Sequence, residues 1–239
     1  YGMLKEAGVT MVDPKEAADI YIVNTCSVTN MAERKSRQML HRAKKKNPDV
    51  VVVAVGCYAQ VGKEELSKDT NIDLIIGNNK KKDLIHILEE HMGEKESAAE
   101  LIEVIDIAHN QEYESLHVEQ LKEHTRAYIK VQDGCNQFCT YCMIPYVRGK
   151  GKLVSMPEDE VISHVELLAK QGYKEVVLTG IHLSSYGVDF SDALNFVSLE
   201  GKPLLAVISK VAEIEGVERI RLGSLEPRII TESFAKELS

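Results

Sequence analysis

The sequence predicts an α/β protein in two parts: an open parallel α/β sheet domain at the N-terminus, then a partial β/α barrel. Three observations carry that expectation. Apolar, β-branched runs in the first third stop abruptly at polar turns, amphipathic stretches lie between them, and a second strand–helix series begins near Arg126 after a polar, acidic interval. Continuous apolar runs suit parallel strands covered on both faces, and strand and helix in alternation imply such a sheet.

Taken in order, the strand-like runs are ADIYIVNTC (Ala18 to Cys26), VVVVAVGC (Val50 to Cys57) and IDLIIGNN (Ile72 to Asn79). Between the first two, MAERKSRQMLHRAKKKNP reads as a helix closed by Asn47-Pro48, a strong stop signal. KKDLIHILEEHM reads as another amphipathic helix. Together they make an N-terminal domain over 1–92. Residues 93–124 are polar and acidic apart from the patch LIEVIDIA and read as a connector carrying one strand. The second series fills 125–239. RAYIKVQDG is a strand that leads directly into a cysteine loop. SMPEDEVISHVELLAKQGY is a helix, with Ser155 as N-cap and Glu158 three residues later as a capping box, and Gly172 as the C′ residue. KEVVLTGI, PLLAVISKVAEIEG, ERIRLGSLEP and TESFAKELS supply strand, helix, strand and the start of a helix, making three β/α units with the later ones missing.

Composition narrows the classes. The chain has 239 residues, 44% of them hydrophobic, as in a globular protein with a real core. No apolar run approaches the ~20 residues that cross a bilayer. The opening YGMLKEAGVT has neither the basic start nor the apolar stretch of a signal peptide. It also lacks an initiator Met, and FAKELS reads as the middle of a helix, so the expectation is a longer protein cut at both ends. A net charge of −8 gives no bulk signal for nucleic acid. Five cysteines, odd in number and clustered, do not resemble a secreted disulfide framework. A reducing cytoplasm with metal-binding or catalytic thiolates fits better.

The densest cluster is DGCNQFCTYCMIPYVRGK, where Cys135, Cys139 and Cys142 follow a C-x3-C-x2-C spacing. A structural zinc site wants four tetrahedral ligands, and no Cys or His lies between Cys142 and His164 to supply the fourth. An iron–sulfur cluster also usually takes four thiolates. Three leave one iron open to a substrate or cofactor, and the loop follows a strand, at the end where β/α barrels keep their chemistry. The competing reading is a zinc knuckle. Cys26 and Cys57 each close a predicted strand, in the contexts NTCSVT and VGCYAQ. Both should emerge at the carboxyl edge of the sheet, where open α/β folds place ligands. The alternative is two buried core thiols. A shared site would need a third thiolate, most simply from residues before Tyr1.

CNQFCTYC, with an aromatic before the last cysteine, resembles the signature of the radical S-adenosylmethionine (SAM) superfamily. NTCSVTNMAERKSRQ, GCYAQ, DGCNQFCTYCMIPYVRG, LTGIHLSSYG and LGSLEP together resemble the methylthiotransferases and span most of the chain. That resemblance implies an auxiliary 4Fe–4S cluster on three N-terminal cysteines, two of them Cys26 and Cys57, and a radical SAM barrel whose cluster is held by Cys135, Cys139 and Cys142. It implies SAM as cofactor and a flavodoxin or ferredoxin as electron donor. One SAM methylates sulfur at the auxiliary site, and a second yields the radical that activates an unreactive carbon. The family's branches modify adenosine-37 of the tRNA anticodon loop carrying a threonylcarbamoyl or an isopentenyl group, or an aspartate of a ribosomal protein. CSVTNMAERKSRQMLHRAKKKNP is most similar to the threonylcarbamoyladenosine branch. A non-catalytic, metal-stabilised RNA-binding module is the rival from another class.

The same segment supports RNA on physical grounds. From Arg34 to Lys46 there are seven Lys or Arg and no acid. At helical spacing Arg34, Arg37, His41 and Lys45 share a face, with Ala32, Met39 and Ala43 opposite. Beside Cys26 that stripe could hold phosphate, or it is simply a solvated surface. By family resemblance Tyr141 lies near the adenine of SAM, Gly180 lets backbone approach its amino group, and Ser224 and Glu226 are polar contacts to SAM or substrate. Arg148 could bind a carboxylate or phosphate, or lie on the surface. His182 and Tyr186 read as loop-packing residues.

Overall fold

The computed structural model describes residues 2–78, 80–93, 101–105, 126–191 and 195–239. The chain forms two compact units. The first holds the N-terminal part with Cys139–Lys150, and the second runs up to Phe138 and resumes with Gly151–Ser239.

In the first unit, helix α1 (Gly2–Glu6) precedes β1 (Ile20–Thr25), α2 (Asn30–Lys46), β2 (Val51–Gly56), α3 (Cys57–Val61), α4 (Lys63–Leu66), β3 (Leu74–Ile76), α5 (Leu84–Gly93) and β4 (Leu101–Glu103). All four strands are parallel, in the order β1-β2-β3-β4. The burial follows the two-residue period of a strand. Val52, Ala54 and Ile75 pack with Leu40 and Ala43 of α2 and Tyr58 and Ala59 of α3. Their neighbours Val53, Val55, Leu74 and Ile76 pack on the other face with Leu4, Ile87 and Leu88. A sheet covered on both faces needs unbroken apolar strands, and this is what VVVAVG and LII supply.

Helix α2 begins where Thr29 accepts a hydrogen bond from the Ala32 amide at 3.1 Å, an N-cap that satisfies one of the orphan donors. Its buried face is Ser36, Leu40 and Ala43, and the basic stripe is only partly surface. Arg37 donates to the Tyr58 hydroxyl at 2.6 Å and to Glu65 at 2.7 Å, and His41 pairs with Asp69. Met39, expected on the packed side, is 58% exposed.

In the second unit β5 (Ala127–Asp133) leads through the cysteine loop. Helix α6 (Ile144–Val147), within that loop, belongs to the first unit, while β6 (Val154–Ser155), α7 (Glu158–Lys170), β7 (Glu175–Gly180), α8 (Lys202–Ala212), β8 (Arg219–Leu222) and α9 (Glu232–Leu238) complete the second. The sheet order is β6-β5-β7-β8. β5, β7 and β8 are parallel, and the two-residue β6 runs antiparallel beside β5. Ala127, Ile129, Val131, Val176 and Leu178 pack against Val161, Val165 and Leu168 of α7 and Leu204, Val207 and Val211 of α8. The opposite face carries Glu175, which gathers Arg126, Arg219 and Arg221. The hydrogen bond from Arg221, followed by that from Arg219, holds the Glu175 carboxyl below its ordinary value against burial.

The expected capping box is absent. Ser155 belongs to β6, where its hydroxyl donates to Asp189 at 2.6 Å and accepts from the Gly187 amide at 2.9 Å. Helix α7 starts after Pro157 with no side-chain cap, because the longer-range Asp189 partner takes the serine. Gly172, at φ +92°, does end α7, its amide bonding to the Ala169 carbonyl. Most of the connector expected over 93–124 lies outside the described residues, and β4 is its described strand.

Candidate functional site

The two N-terminal cysteines stand at one sheet edge. Thr25 and Gly56 are partners in the β1–β2 register, so Cys26 and Cys57 are the next residues on adjacent strands, at their carboxyl ends. Gly56 sits at φ +101°, and a Cβ there would meet Asn24 Oδ1 at 2.6 Å and the Thr25 carbonyl at 2.7 Å; only glycine fits. The Thr25 hydroxyl donates to the Val55 carbonyl at 2.7 Å and accepts from the Ala59 amide at 3.1 Å. It thereby fixes the turn from β2 into α3, whose first residue is Cys57. The Cys26 amide donates to Ser36 Oγ at 3.4 Å.

Each residue of GCYAQ thus has a task. Tyr58, 2% exposed, accepts from Arg37 and donates to Glu65 at 3.1 Å. Burial raises its phenol above the ordinary value even against Arg37. Gln60 donates to the Ile105 carbonyl and accepts from the Asn78 amide, both at 2.9 Å. Asn78 is 1% exposed, and its side-chain amide faces Cys57 Sγ at 3.8 Å and the Val147 carbonyl at 3.1 Å. Ser27 Oγ and Asn78 Oδ1 are buried without a hydrogen-bond partner among the described residues. Sequence reasoning missed Gln60 and Asn78, although GNN closes the third strand at the same edge as NTC and GC.

The other loop leaves β5 through Gln132, which is fully buried. Its amide nitrogen donates to the Asp133 carbonyl at 2.7 Å and the Gly134 carbonyl at 2.9 Å, and its oxygen accepts from the His182 amide at 2.7 Å. Gln132 ties together the carboxyl ends of β5 and β7. A Cβ on Gly180 would meet it at 3.0 Å, so the glycine leaves room for this side chain. Gly134 sits at φ +78°, and Cys135 follows it directly. Phe138 adopts φ +46° and lays its ring over Gly151, 2.5 Å from where a Cβ would stand. Downstream, the Cys142 amide donates to the Cys139 carbonyl at 2.9 Å. Cys135 and Cys142 are half-buried, Cys139 is exposed and Tyr141 is 90% exposed.

Ser224 is exposed. The Glu226 amide donates to Ser184 Oγ, and its carboxylate accepts from Arg228 Nε at 2.8 Å. Burial would raise this carboxyl, but the Arg228 hydrogen bonds outweigh it and hold it below the ordinary value. Arg228 also reaches Gln137 of the cysteine loop at 3.1 Å and lies over the Phe196 ring. His182 bonds to Ser185 Oγ through Nδ1 at 2.7 Å, while Nε2 is buried without a partner among the described residues. Burial holds its imidazole below the ordinary value, more than Glu226 raises it. Tyr186 is 2% exposed and donates to the Met156 carbonyl at 3.0 Å, a packing role.

All five cysteines are free of disulfides. Among the described residues no three His, Cys, Asp or Glu side chains are gathered as a finished metal site. What the loop presents is a donor set of thiols alone, the soft chemistry that suits iron–sulfur clusters and zinc rather than magnesium or calcium.

Residues 1–77 match the family described as Uncharacterized protein family UPF0004, and residues 129–221 match the Radical SAM superfamily. The threonylcarbamoyladenosine tRNA methylthiotransferases MtaB of Aquifex aeolicus and Bacillus subtilis are 39% and 38% identical over 97% and 99% of this chain, and over 53% and 49% of their own lengths. The tRNA-2-methylthio-N(6)-dimethylallyladenosine synthase of Thermodesulfovibrio yellowstonii is 37% identical over 99% of this chain and 50% of its own length. The chain therefore spans about half the length of these relatives. The radical SAM methyltransferase TsrM of Kitasatospora setae, solved with cobalamin and a 4Fe–4S cluster, shares the fold at a TM-score of 0.54 and 15% identity, over 94% of this chain and 48% of its own. With both family regions in this order and methylthiotransferase relatives matching along nearly all of it, the chain is similar to the radical SAM methylthiotransferases over its whole length.

Proposed function

We propose that the protein carrying this chain is a tRNA methylthiotransferase that places a methylthio group on C2 of N6-threonylcarbamoyladenosine-37. The observation that carries this is the pair of thiol sets in a chain with these relatives: Cys26 and Cys57 end adjacent strands of one parallel sheet, and Cys135, Cys139 and Cys142 follow the first strand of the other. The branch rests on the MtaB relatives. The dimethylallyladenosine enzymes, nearly as similar, make the isopentenyl branch the second reading.

Cys135, Cys139 and Cys142 would hold one 4Fe–4S cluster with an iron open to SAM, and Cys26 and Cys57 would supply two ligands of the other. When bound, the clusters supply one-electron chemistry at SAM and a sulfur-delivery centre. The chain's own residues do the rest. Gln132 fixes the exit of β5, so that Cys135 leaves from a rigid point. Gly56 and Thr25 set the turn that presents Cys57 at the sheet edge. Tyr141, Gly180, Ser224 and Glu226 are the candidates for contact with SAM or substrate, Glu226 held as a carboxylate by Arg228. Arg34, Lys35, Arg42 and Lys45 remain exposed on α2 and provide sequence-independent attraction for tRNA phosphates. A flavodoxin or ferredoxin as electron donor and a cytoplasmic location complete the proposal. No described helix is long and apolar enough to cross a membrane.

The deciding experiment is mass spectrometry of tRNA nucleosides from a strain lacking the gene. Loss of 2-methylthio-threonylcarbamoyladenosine alone is expected. Loss of the isopentenyl form instead moves the protein to the other branch, and unchanged nucleosides overturn the tRNA assignment. In the whole protein reconstituted without oxygen, Cys139→Ala should abolish SAM cleavage while iron at the Cys26–Cys57 site stays. Persistent cleavage would refute the assignment of the three-cysteine loop.

A further inference from the structure

Asn78 closes β3 at the sheet edge where β1 and β2 deliver Cys26 and Cys57. It is 1% exposed, and a residue this polar is rarely buried without full hydrogen bonding. Its backbone amide is anchored on Gln60 at 2.9 Å, three residues along α3 from Cys57. Its side chain donates toward two acceptors, the Val147 carbonyl at 3.1 Å and Cys57 Sγ at 3.8 Å. The amide orientation is fixed by chemistry: a carbonyl cannot accept from Oδ1, so the NH2 group must face Val147 and, with it, the sulfur. Oδ1 is left buried with no partner among the described residues. Beside a neutral thiol this is a poor arrangement, because thiol sulfur is a weak acceptor. Beside a metal-bound thiolate it is a good one, because charge on the acceptor strengthens and shortens the bond.

We propose that Asn78 is a positioning residue for the sulfur centre at Cys57. Its amide donates to the Cys57 thiolate and, through the same NH2 group, to the carbonyl of Val147, five residues after Cys142. The unpartnered Oδ1 is an acceptor for a donor that arrives with the centre, an S–H or O–H group. This rests on the reading of Cys26 and Cys57 as cluster ligands given above. Hydrogen bonds to cluster sulfurs tune the reduction potential, and partners beyond the ligands orient them. Removing the donor should therefore lower the potential.

The test uses the whole protein with Cys135, Cys139 and Cys142 replaced by Ala, so that only the N-terminal centre can load. Iron and sulfide are counted, and the centre is titrated by EPR in this parent and in Asn78→Leu and Asn78→Asp. With the centre retained, each variant should show the reduced-to-oxidised ratio at a fixed potential falling about tenfold, about 59 mV for a one-electron couple. A retained centre with an unchanged potential in both variants overturns the proposal alone. An iron-free parent overturns the cluster reading and this proposal together.

Discussion

Replacing Gln132 by Leu keeps most of the volume and removes every polar atom of the side chain, so little of the cost comes from a cavity. Three hydrogen bonds end on Gln132, at 2.7, 2.9 and 2.7 Å. At about 0.5–1.5 kcal/mol net for each, their loss totals roughly 1.5–4.5 kcal/mol. Asp133 and His182 are half-buried, and water can reach part of what is freed. The expectation is therefore about 2–3 kcal/mol. The assay is hydrogen exchange, read at the His182 amide, which loses its acceptor, together with urea unfolding of the second unit. Protection at His182 should fall roughly thirtyfold to 140-fold if opening of this strand end governs exchange there. Alkylation of Cys135 should accelerate in parallel, because its loop loses the anchor at Gly134. Unchanged His182 protection with a stability loss below about 0.5 kcal/mol would refute the idea that one glutamine holds both strand ends.

Gly56→Ala should cost roughly 2–3 kcal/mol from backbone strain and the 2.6 Å clash with Asn24, measured by denaturant unfolding. The same variant should lose iron at the Cys26–Cys57 site while iron at the three-cysteine loop persists. For His182 the folded-state value lies below its ordinary 6.5, through burial first. The unfolded chain then binds more protons in the interval beneath 6.5, so stability is fully present above that pH and declines as pH falls through the interval. His182→Gln should flatten this part of the stability–pH curve, and an unaltered slope would place the effect elsewhere. Replacing Arg34, Lys35, Arg42 and Lys45 by Gln should weaken tRNA binding. The log–log salt slope should become shallower by about 0.7–0.9 for each cation that met a phosphate, and an unchanged slope would remove α2 from the RNA surface.

Strands were legible in the sequence where burial on both faces leaves no room for polar residues, as in VVVAVG and LII. The carboxyl-edge positions of Cys26 and Cys57 followed from where those runs stop. What escaped was set by partners far away in sequence. Ser155 reads as a helix cap until Asp189, 34 residues on, claims its hydroxyl. Gln132 lies in the run read as a strand, but nothing local marks it as buried, since His182, 50 residues away, supplies the donor for its oxygen. The face of α2 was visible only in part from its period, for Ala43 is buried but Met39 is exposed and Leu40 takes the core position; the pairing of Arg37 and His41 with Glu65 and Asp69 was not visible, since nothing local tells an exposed cation from a tethered one. Asn78 was the hardest, because its meaning depends on Gln60, Cys57 and Val147 together.

Glu175 and its three arginines bear on how the second sheet finds its alignment. Arg219 and Arg221 are two apart on β8 and reach the same carboxylate, with Ile220 between them facing the helices. If β8 slid by one residue against β7, both guanidinium groups would turn into the apolar layer and Ile220 would meet the carboxylate. A mispaired strand would thus bury two charges and leave Glu175 with Arg126 alone, a penalty far larger than the modest worth of the native ion pairs at the surface. The value of this cluster lies less in holding the finished sheet than in rejecting the wrong one.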